Sequence, residues 1–293
     1  VAIVKQLDKA VDLVISGHTH QAYNCVIDDR LLTSAGKYGT VITDIDVRLD
    51  PDTRDVISAK ANNVIVRTGA YAKDPAQTRL IHAYEQLAGP ITHRTVGTLD
   101  ANLSRQASAA GESPLGQVIA DAQLAATAAP QDGGAVIAFT NPGGIRADMI
   151  KNDSGLATYA DLYASQPFGN TLVSMTLTGA QIKAVLDQQW LGQVKPRILP
   201  VSKGFSYTWD AARPPGQRVL ANSLKLNGKR LNASGRYRVT VNAFLASGGD
   251  GFATFAQGQE RRIGPGEVAA LELYFQQHSP VRPGVLDRIR RLH

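Results

Sequence analysis

The chain has 293 residues, enough for about two domains, and its 43% apolar and 19% charged residues are those of an ordinary globular protein with no apolar run of the length that spans a membrane. The net charge is +6, but the basic residues are scattered apart from Arg261-Arg262 and Arg288-Ile289-Arg290-Arg291, which argues against a nucleic-acid stripe and leaves a mild field that favours a small phosphorylated ligand. A single cysteine, Cys25, excludes an internal disulfide framework and a cysteine-rich metal site.

Read in order, the chain opens as the end of a helix over 2–9 and a short apolar strand over 11–16. That start resembles the middle of a domain, so the chain is expected to be a C-terminal fragment of a longer protein. Strands are predicted at 31–34, at 41–49, where strict alternation implies one buried face, and at 56–66. Residues 73–88 form a predicted helix after Asp74-Pro75, stopped by Gly89-Pro90, and the domain boundary is placed on it. The expected organisation is a first segment over 1–72, a linker helix and hinge over 73–95, and a second domain over 96–293.

In that second domain Ser113-Pro114 is a helix start, serine as N-cap and proline at the first helical position. Residues 135–140 are a buried strand that runs into Asn141-Pro142-Gly143-Gly144-Ile145-Arg146. Thr158 and Thr178 cap further helices, 171–177 is a strand, and Asn227-Gly228 marks a hairpin. A strand over 237–241 runs into Phe244-Leu245-Ala246-Ser247-Gly248-Gly249-Asp250-Gly251-Phe252, and helices are predicted at 267–277 and 285–292. Mixed strands and helices fit α/β or α+β layers.

Four stretches carry chemistry. His18 and His20, in Gly17-His18-Thr19-His20, stand two residues apart on a strand-end loop, where two neutral imidazoles can face one metal; two surface histidines in a turn is an equal reading. Asn141, Gly143, Gly144 and Arg146 form a strand-end glycine loop with an amide and a guanidinium. Arginine matches phosphate or carboxylate through paired hydrogen bonds, and asparagine both donates and accepts. Phe168, in Pro167-Phe168-Gly169-Asn170, and Phe244 are loop aromatics. Each alone reads as a core plug, but two facing rings about 7 Å apart would sandwich a planar base. Asp250 is an acid bracketed by glycines. No P-loop and no G-x-S-x-G elbow occurs.

Together and in this order, the four stretches resemble the 5'-nucleotidase family. The resemblance implies an α+β 5'-nucleotidase C-terminal domain fold, preceded by the last strands of an α/β/β/α metallophosphoesterase domain. It implies that Phe168 and Phe244 clamp a base, that Asn141 meets the base, Arg146 the phosphate side and Asp250 the ribose hydroxyls. It implies that His18 and His20 are the last of the ligands to two divalent metal ions, Zn or Mn, in the full-length enzyme. The family's Asp-x-His and Gly-Asn-His motifs, with the catalytic histidine, are absent. Proline follows Asn141 where the family more often has glycine, and a second binding arginine expected near Gly111 is replaced at best by Arg105.

The expected activity is therefore that of the substrate-binding part of a phosphohydrolase acting on nucleoside 5'-phosphates, inactive as this chain alone. A non-enzymatic nucleotide-binding module and a cyclic-nucleotide or nucleotide-sugar hydrolase of the same architecture are the alternatives. Expected partners are a nucleoside or nucleotide, with no nucleic acid and no membrane. A homodimer formed through the open strand edges of the truncated first domain is a further expectation. The family implies a periplasmic or extracellular location.

Overall fold

A computed structural model describes residues 1–293. The chain divides into two units, Val1–Ala83 and Tyr84–His293, and the division falls on a long helix.

The first unit contains α1 (Ala2–Gln6), β1 (Leu13–Ile15), β2 (Ala22–Ile27), β3 (Arg30–Ala35), β4 (Val41–Leu49) and β5 (Val56–Ile65). β3 is central, parallel to β1 and antiparallel to β2. Only its Arg30, Leu31, Leu32, Thr33 and Ser34 are well buried among these strands, and Ile15 of β1 is largely exposed, unlike the buried strand expected there. β2 escaped the sequence reading because its outward residues Asn24 and Cys25 interrupt the apolar pattern. Asp28 and Asp29 form the β2–β3 turn, both with positive φ, and Asp28 accepts a hydrogen bond from Arg30 at 2.7 Å. β4 and β5 pair as an antiparallel hairpin.

α2 (Pro75–Thr92) runs through Gly89 and Pro90 rather than stopping before them. None of its residues is buried, so water satisfies the carbonyl that Pro90 leaves without an N–H partner.

The second unit contains β6 (Thr95–Thr98), α3 (Pro114–Ala125), β7 (Ile137–Ala138), β8 (Leu156–Thr158), α4 (Tyr159–Ser165), β9 (Thr171–Thr178), α5 (Gly179–Asp187), β10 (Phe205–Asp210), β11 (Lys225–Leu226), β12 (Lys229–Arg230), β13 (Arg236–Asn242), α6 (Ala243–Ala246), β14 (Gln259–Gly266), α7 (Glu267–His278) and β15 (Ile289–Leu292). Helices and strands are mixed and the sheets largely antiparallel, an α+β arrangement. The expected caps are present: Ser113 Oγ accepts from Gly116 N at 3.2 Å with Pro114 opening α3, and Thr178 and Gln181 form a capping box at α5.

The second unit has two apolar cores. One joins β7, β9, β10 and β13 to α5 through Ile137, Phe139, Met175, Leu186, Tyr207, Val239 and Phe255. The other packs α3 against α7 through Leu115, Ile119, Leu271 and Phe275. Residues 285–292 correct the helix expected there. Their last four residues are β15, paired parallel to β10 from Tyr207↔Ile289 to Asp210↔Leu292. The spacing of Val285, Leu286 and Ile289, at i, i+1 and i+4, is weak evidence over so short a span. The free edge of β10 offers hydrogen bonds that outweigh it.

Glu112, ahead of α3, is buried. Its Oε1 accepts from Gln117 Nε2 at 2.9 Å and Arg288 N at 3.1 Å, while Oε2 has no partner. Burial pushes its carboxyl above the ordinary glutamate value. The folded state therefore holds this proton more tightly than the unfolded chain does. The resulting stability is full below about pH 4.5 and is lost as pH rises through the folded pKa. Glu112→Gln does not titrate, so its stability relative to wild type is expected to rise as the pH is raised above about 4.5 in urea unfolding. A pH-independent difference contradicts this account.

Candidate functional site

One edge of the sheet β14-β9-β13-β7 gathers the predicted residues Asn141, Gly143, Gly144, Arg146, Phe168, Phe244 and Asp250. β7 and β13 are parallel, so their C-terminal ends share that edge. β9 is antiparallel to β13, so its N-terminal end arrives there too, with Leu172 opposite Asn242. β14 is antiparallel to β9, and its end Gly266 lies opposite Thr171. The loops after β7 (141–146) and before β9 (166–170), the segment after β13 (243–252) and the start of α7 at Glu267 therefore meet at one place. Strand direction alone brings together residues more than a hundred positions apart.

At the centre is Asp250. Its φ of +57° is in the left-handed region, which aspartate tolerates better than most residues. Its Oδ2 accepts from Asn141 Nδ2 at 3.0 Å, and its Oδ1 pairs with Arg197. Its backbone carbonyl accepts from Gln193 Nε2 at 2.7 Å. Asn141 is buried, and its Oδ1 accepts from Asn242 Nδ2 at 3.0 Å. Asn242 Oδ1 in turn caps α6 by accepting from Leu245 N at 3.0 Å.

Behind this row is Glu267, also buried. It accepts from Asn170 Nδ2 at 3.2 Å and from Asn242 Nδ2 at 3.4 Å. Burial pushes its carboxyl above the ordinary glutamate value, and the two amide hydrogen bonds pull it partly back. The polarity of the row follows from its ends. An ionised carboxylate only accepts, so Asp250 and Glu267 oblige Asn141 and Asn242 to turn their NH₂ groups the way they do.

The glycines have steric roles. A Cβ at Gly144 would fall 2.8 Å from Asn141 Oδ1, and one at Gly249 would fall 2.7 Å from the Phe244 ring. A Cβ at Gly143 would fall 3.6 Å from Asp250 Oδ2, an ordinary van der Waals distance. The Gly143 carbonyl accepts from Arg146 Nη1 at 3.2 Å. The Arg146 guanidinium lies 5.4 Å from the centroid of the Phe168 ring, a cation–π arrangement. Phe244 thus lies on the 243–252 segment that carries Asp250, and Phe168 lies against Arg146 of the 141–146 loop, whose Asn141 donates to Asp250. Both rings are about half exposed, at 42% and 55%, so neither is the core plug that the bland sequence reading allows. Phe244 lies on the helical turn α6 rather than on a loop.

Arg105 approaches the same loop from the other side. Its Nη1 donates to Ile145 O at 3.2 Å, and its backbone N donates to Asp148 Oδ1 at 2.7 Å. With Gln106, Pro142, Ile145 and Asp148 it lines a hollow of about 310 Å³. His18 and His20 belong to the first unit. They are exposed on the segment after β1, with φ of +65° and +56°. No group of three or more His, Cys, Asp or Glu side chains gathers anywhere in the chain. The residues present therefore do not by themselves fit a two-metal centre, which needs bridging and terminal carboxylates beside histidine.

Sequence reasoning missed Arg197, Gln193, Asn242 and Glu267 as members of the site. Asn242 was findable as an N-cap residue just ahead of Phe244. Glu267 opens the predicted helix at 267. Arg197 and Gln193 carry no local signal: Asp250 lies 53 and 57 residues on from them.

Converging loops, exposed aromatic rings and a rigidly hydrogen-bonded carboxylate make this end of the sheet the candidate site. The family model for the 5'-nucleotidase C-terminal domain matches residues 91–257; the chain belongs to this family. Endonuclease YhcR of Bacillus subtilis is 30% identical over 84% of this chain and 19% of its own length. Cell wall protein Lmo0130 of Listeria monocytogenes is 30% identical over 85% of this chain and 33% of its own. The crystal structure of a 5'-nucleotidase precursor from Thermus thermophilus superposes with a TM-score of 0.74 at 29% identity, over 96% of this chain and 59% of that one. The chain thus spans well under two thirds of each of these relatives.

Proposed function

We propose that this chain holds the substrate for a 5'-nucleotidase-type phosphohydrolase, gripping a nucleoside 5'-phosphate by its nucleoside. The observation that carries this reading is the Asp250 carboxylate, fixed between Asn141 and Arg197, with the exposed rings of Phe244 and Phe168 on the two segments that supply Asp250 and flank the start of β9. Its two oxygens offer about four lone-pair positions. Asn141 and Arg197 use one on each oxygen, which leaves one on each for the two vicinal hydroxyls of a ribose. The aromatic rings supply stacking faces for the base, Asn141 is the polar group beside them, and Arg146 and Arg105 are the cations for the phosphate end.

In this reading hydrolysis belongs to the full-length protein, where divalent metal ions, Zn or Mn, would activate water and stabilise charge on phosphate. His18 and His20 are proposed as two of their ligands. The family and the Listeria cell wall relative support a location outside the cytoplasm.

Isothermal titration calorimetry with adenosine and AMP, paired with a phosphate-release assay in added Mn or Zn, tests the proposal. The chain is expected to bind both ligands and to release no phosphate. Absence of binding refutes the nucleoside reading, and appreciable turnover refutes the assignment of hydrolysis to residues beyond this chain.

A further inference from the structure

Asp250 is held by a segment that none of the four motif stretches contains. After α5 the chain passes through Leu191 to Ile198 before it reaches β10. The base of this loop is pinned by Gln189, which is fully buried. Arg197 N donates to Gln189 O at 2.9 Å, Leu199 N to Gln189 Oε1 at 2.7 Å, and Tyr207 Oη to the same oxygen at 3.1 Å. From that anchored base two side chains reach the glycine turn: Gln193 binds the backbone carbonyl of Asp250 and Arg197 its Oδ1. Gln193 Nε2 also donates to Gln188 O at 3.2 Å, so its amide bridges the end of α5 to the turn. The Asp250 side chain is 15% exposed and that of Arg197 45%, so the pair lies at the mouth of the site, with the carboxylate on the inner side.

We propose that Arg197 and Gln193 form a clasp that sets the selectivity of this site for a vicinal diol. The inference rests on the reading of Asp250 as the ribose acceptor. A carboxylate held at Oδ2 by Asn141 alone rotates about its Cβ–Cγ bond. Held at Oδ1 as well, it keeps a fixed plane, and its remaining lone pairs face outward as a matched pair. Two hydroxyls on adjacent carbons fit that pair without reorganisation, which is the origin of preorganised affinity. Arg197 also compensates the negative charge at the site, so a phosphate on the same ligand meets less repulsion. Gln193 fixes the peptide carbonyl of a residue in the left-handed region, a conformation that persists only where its surroundings hold it. Arg197 and Gln193 are thus positioning residues: they act on the ligand through Asp250.

The test is a comparison of adenosine with 2',3'-dideoxyadenosine by titration calorimetry on the full chain, with circular dichroism as the check on folding. Wild type is expected to prefer adenosine. Arg197→Ala is expected to lose about tenfold in adenosine affinity, the scale of one hydrogen bond to a charged group, and to bind the dideoxy compound unchanged. Arg197→Lys, which keeps the charge without the planar fork, is expected to recover part of the preference. Gln193→Ala is expected to reduce it with the guanidinium still in place, and remains a test if Arg197→Ala fails to fold. A ratio between the two ligands that neither variant alters overturns the clasp. So does tighter adenosine binding by Arg197→Ala, because Arg197 would then be obstructing the seat. A wild-type chain that binds both ligands equally overturns the ribose reading of Asp250 itself, and the two failures are thereby separated.

Discussion

Replacing both exposed rings, Phe168→Ala with Phe244→Ala, is expected to lower adenosine and AMP affinity by at least about 30-fold. Stacking of a base on an aromatic ring contributes roughly 1–3 kcal/mol per contact, and 1.4 kcal/mol is about tenfold in affinity. Two lost faces thus remove roughly 2–6 kcal/mol. Folding stability should change little, because the rings are half solvated and fill no core. The single variants separate the two ends: Phe168→Ala also removes the face on which Arg146 rests, whereas Phe244→Ala leaves that contact alone. Calorimetric titration decides the matter, and unchanged affinity in the double variant refutes a base-stacking role for either ring.

The second large effect is expected one layer deeper, from Phe255→Ala. Phe255 is fully buried. Its ring centroid lies 5.9 Å from that of Phe139 and 6.3 Å from that of Phe252. Phe139 stands two residues before Asn141 and Phe252 two residues after Asp250. One aromatic cluster therefore sets the position of both halves of the polar site. Truncating a buried phenylalanine costs about 3–5 kcal/mol through lost burial and the cavity left behind, a fall in melting temperature on the order of 10 °C for a unit of this size. Urea unfolding measures the first and thermal unfolding the second. A loss under about 1 kcal/mol would mean that the cluster closes around the gap and does not hold the turn rigidly.

Much of this site could be read in the sequence because its members stand in short stretches with local physical signatures. Glycines two and three residues after Asn141 and on both sides of Asp250 mark close approach and unusual backbone, and the lack of room for a Cβ at Gly144 and Gly249 agrees with this. The helix caps Ser113 and Thr178 were legible for the same reason: the groups they bind lie three residues away. Local patterning failed where long-range pairing set the outcome. Residues 285–292 have the spacing of a helix, yet Ile289–Leu292 extend along the edge of β10. Gly89-Pro90 has the composition of a stop, yet α2 continues to Thr92 in solvent.

By itself the sequence determined the family, the α+β class and the residue types gathered at the candidate site, because these depend on side-chain chemistry and on turns a few residues long. The tertiary structure alone decided that strand direction brings four segments to one sheet edge, and that Asn242 and Asn141 form a row of amides whose orientation is set by the carboxylates of Glu267 and Asp250 at its two ends. It alone brought Arg197 and Gln193 onto Asp250. Those contacts join positions tens to more than a hundred residues apart. Their partners are selected by sheet register and core packing, which no local pattern encodes.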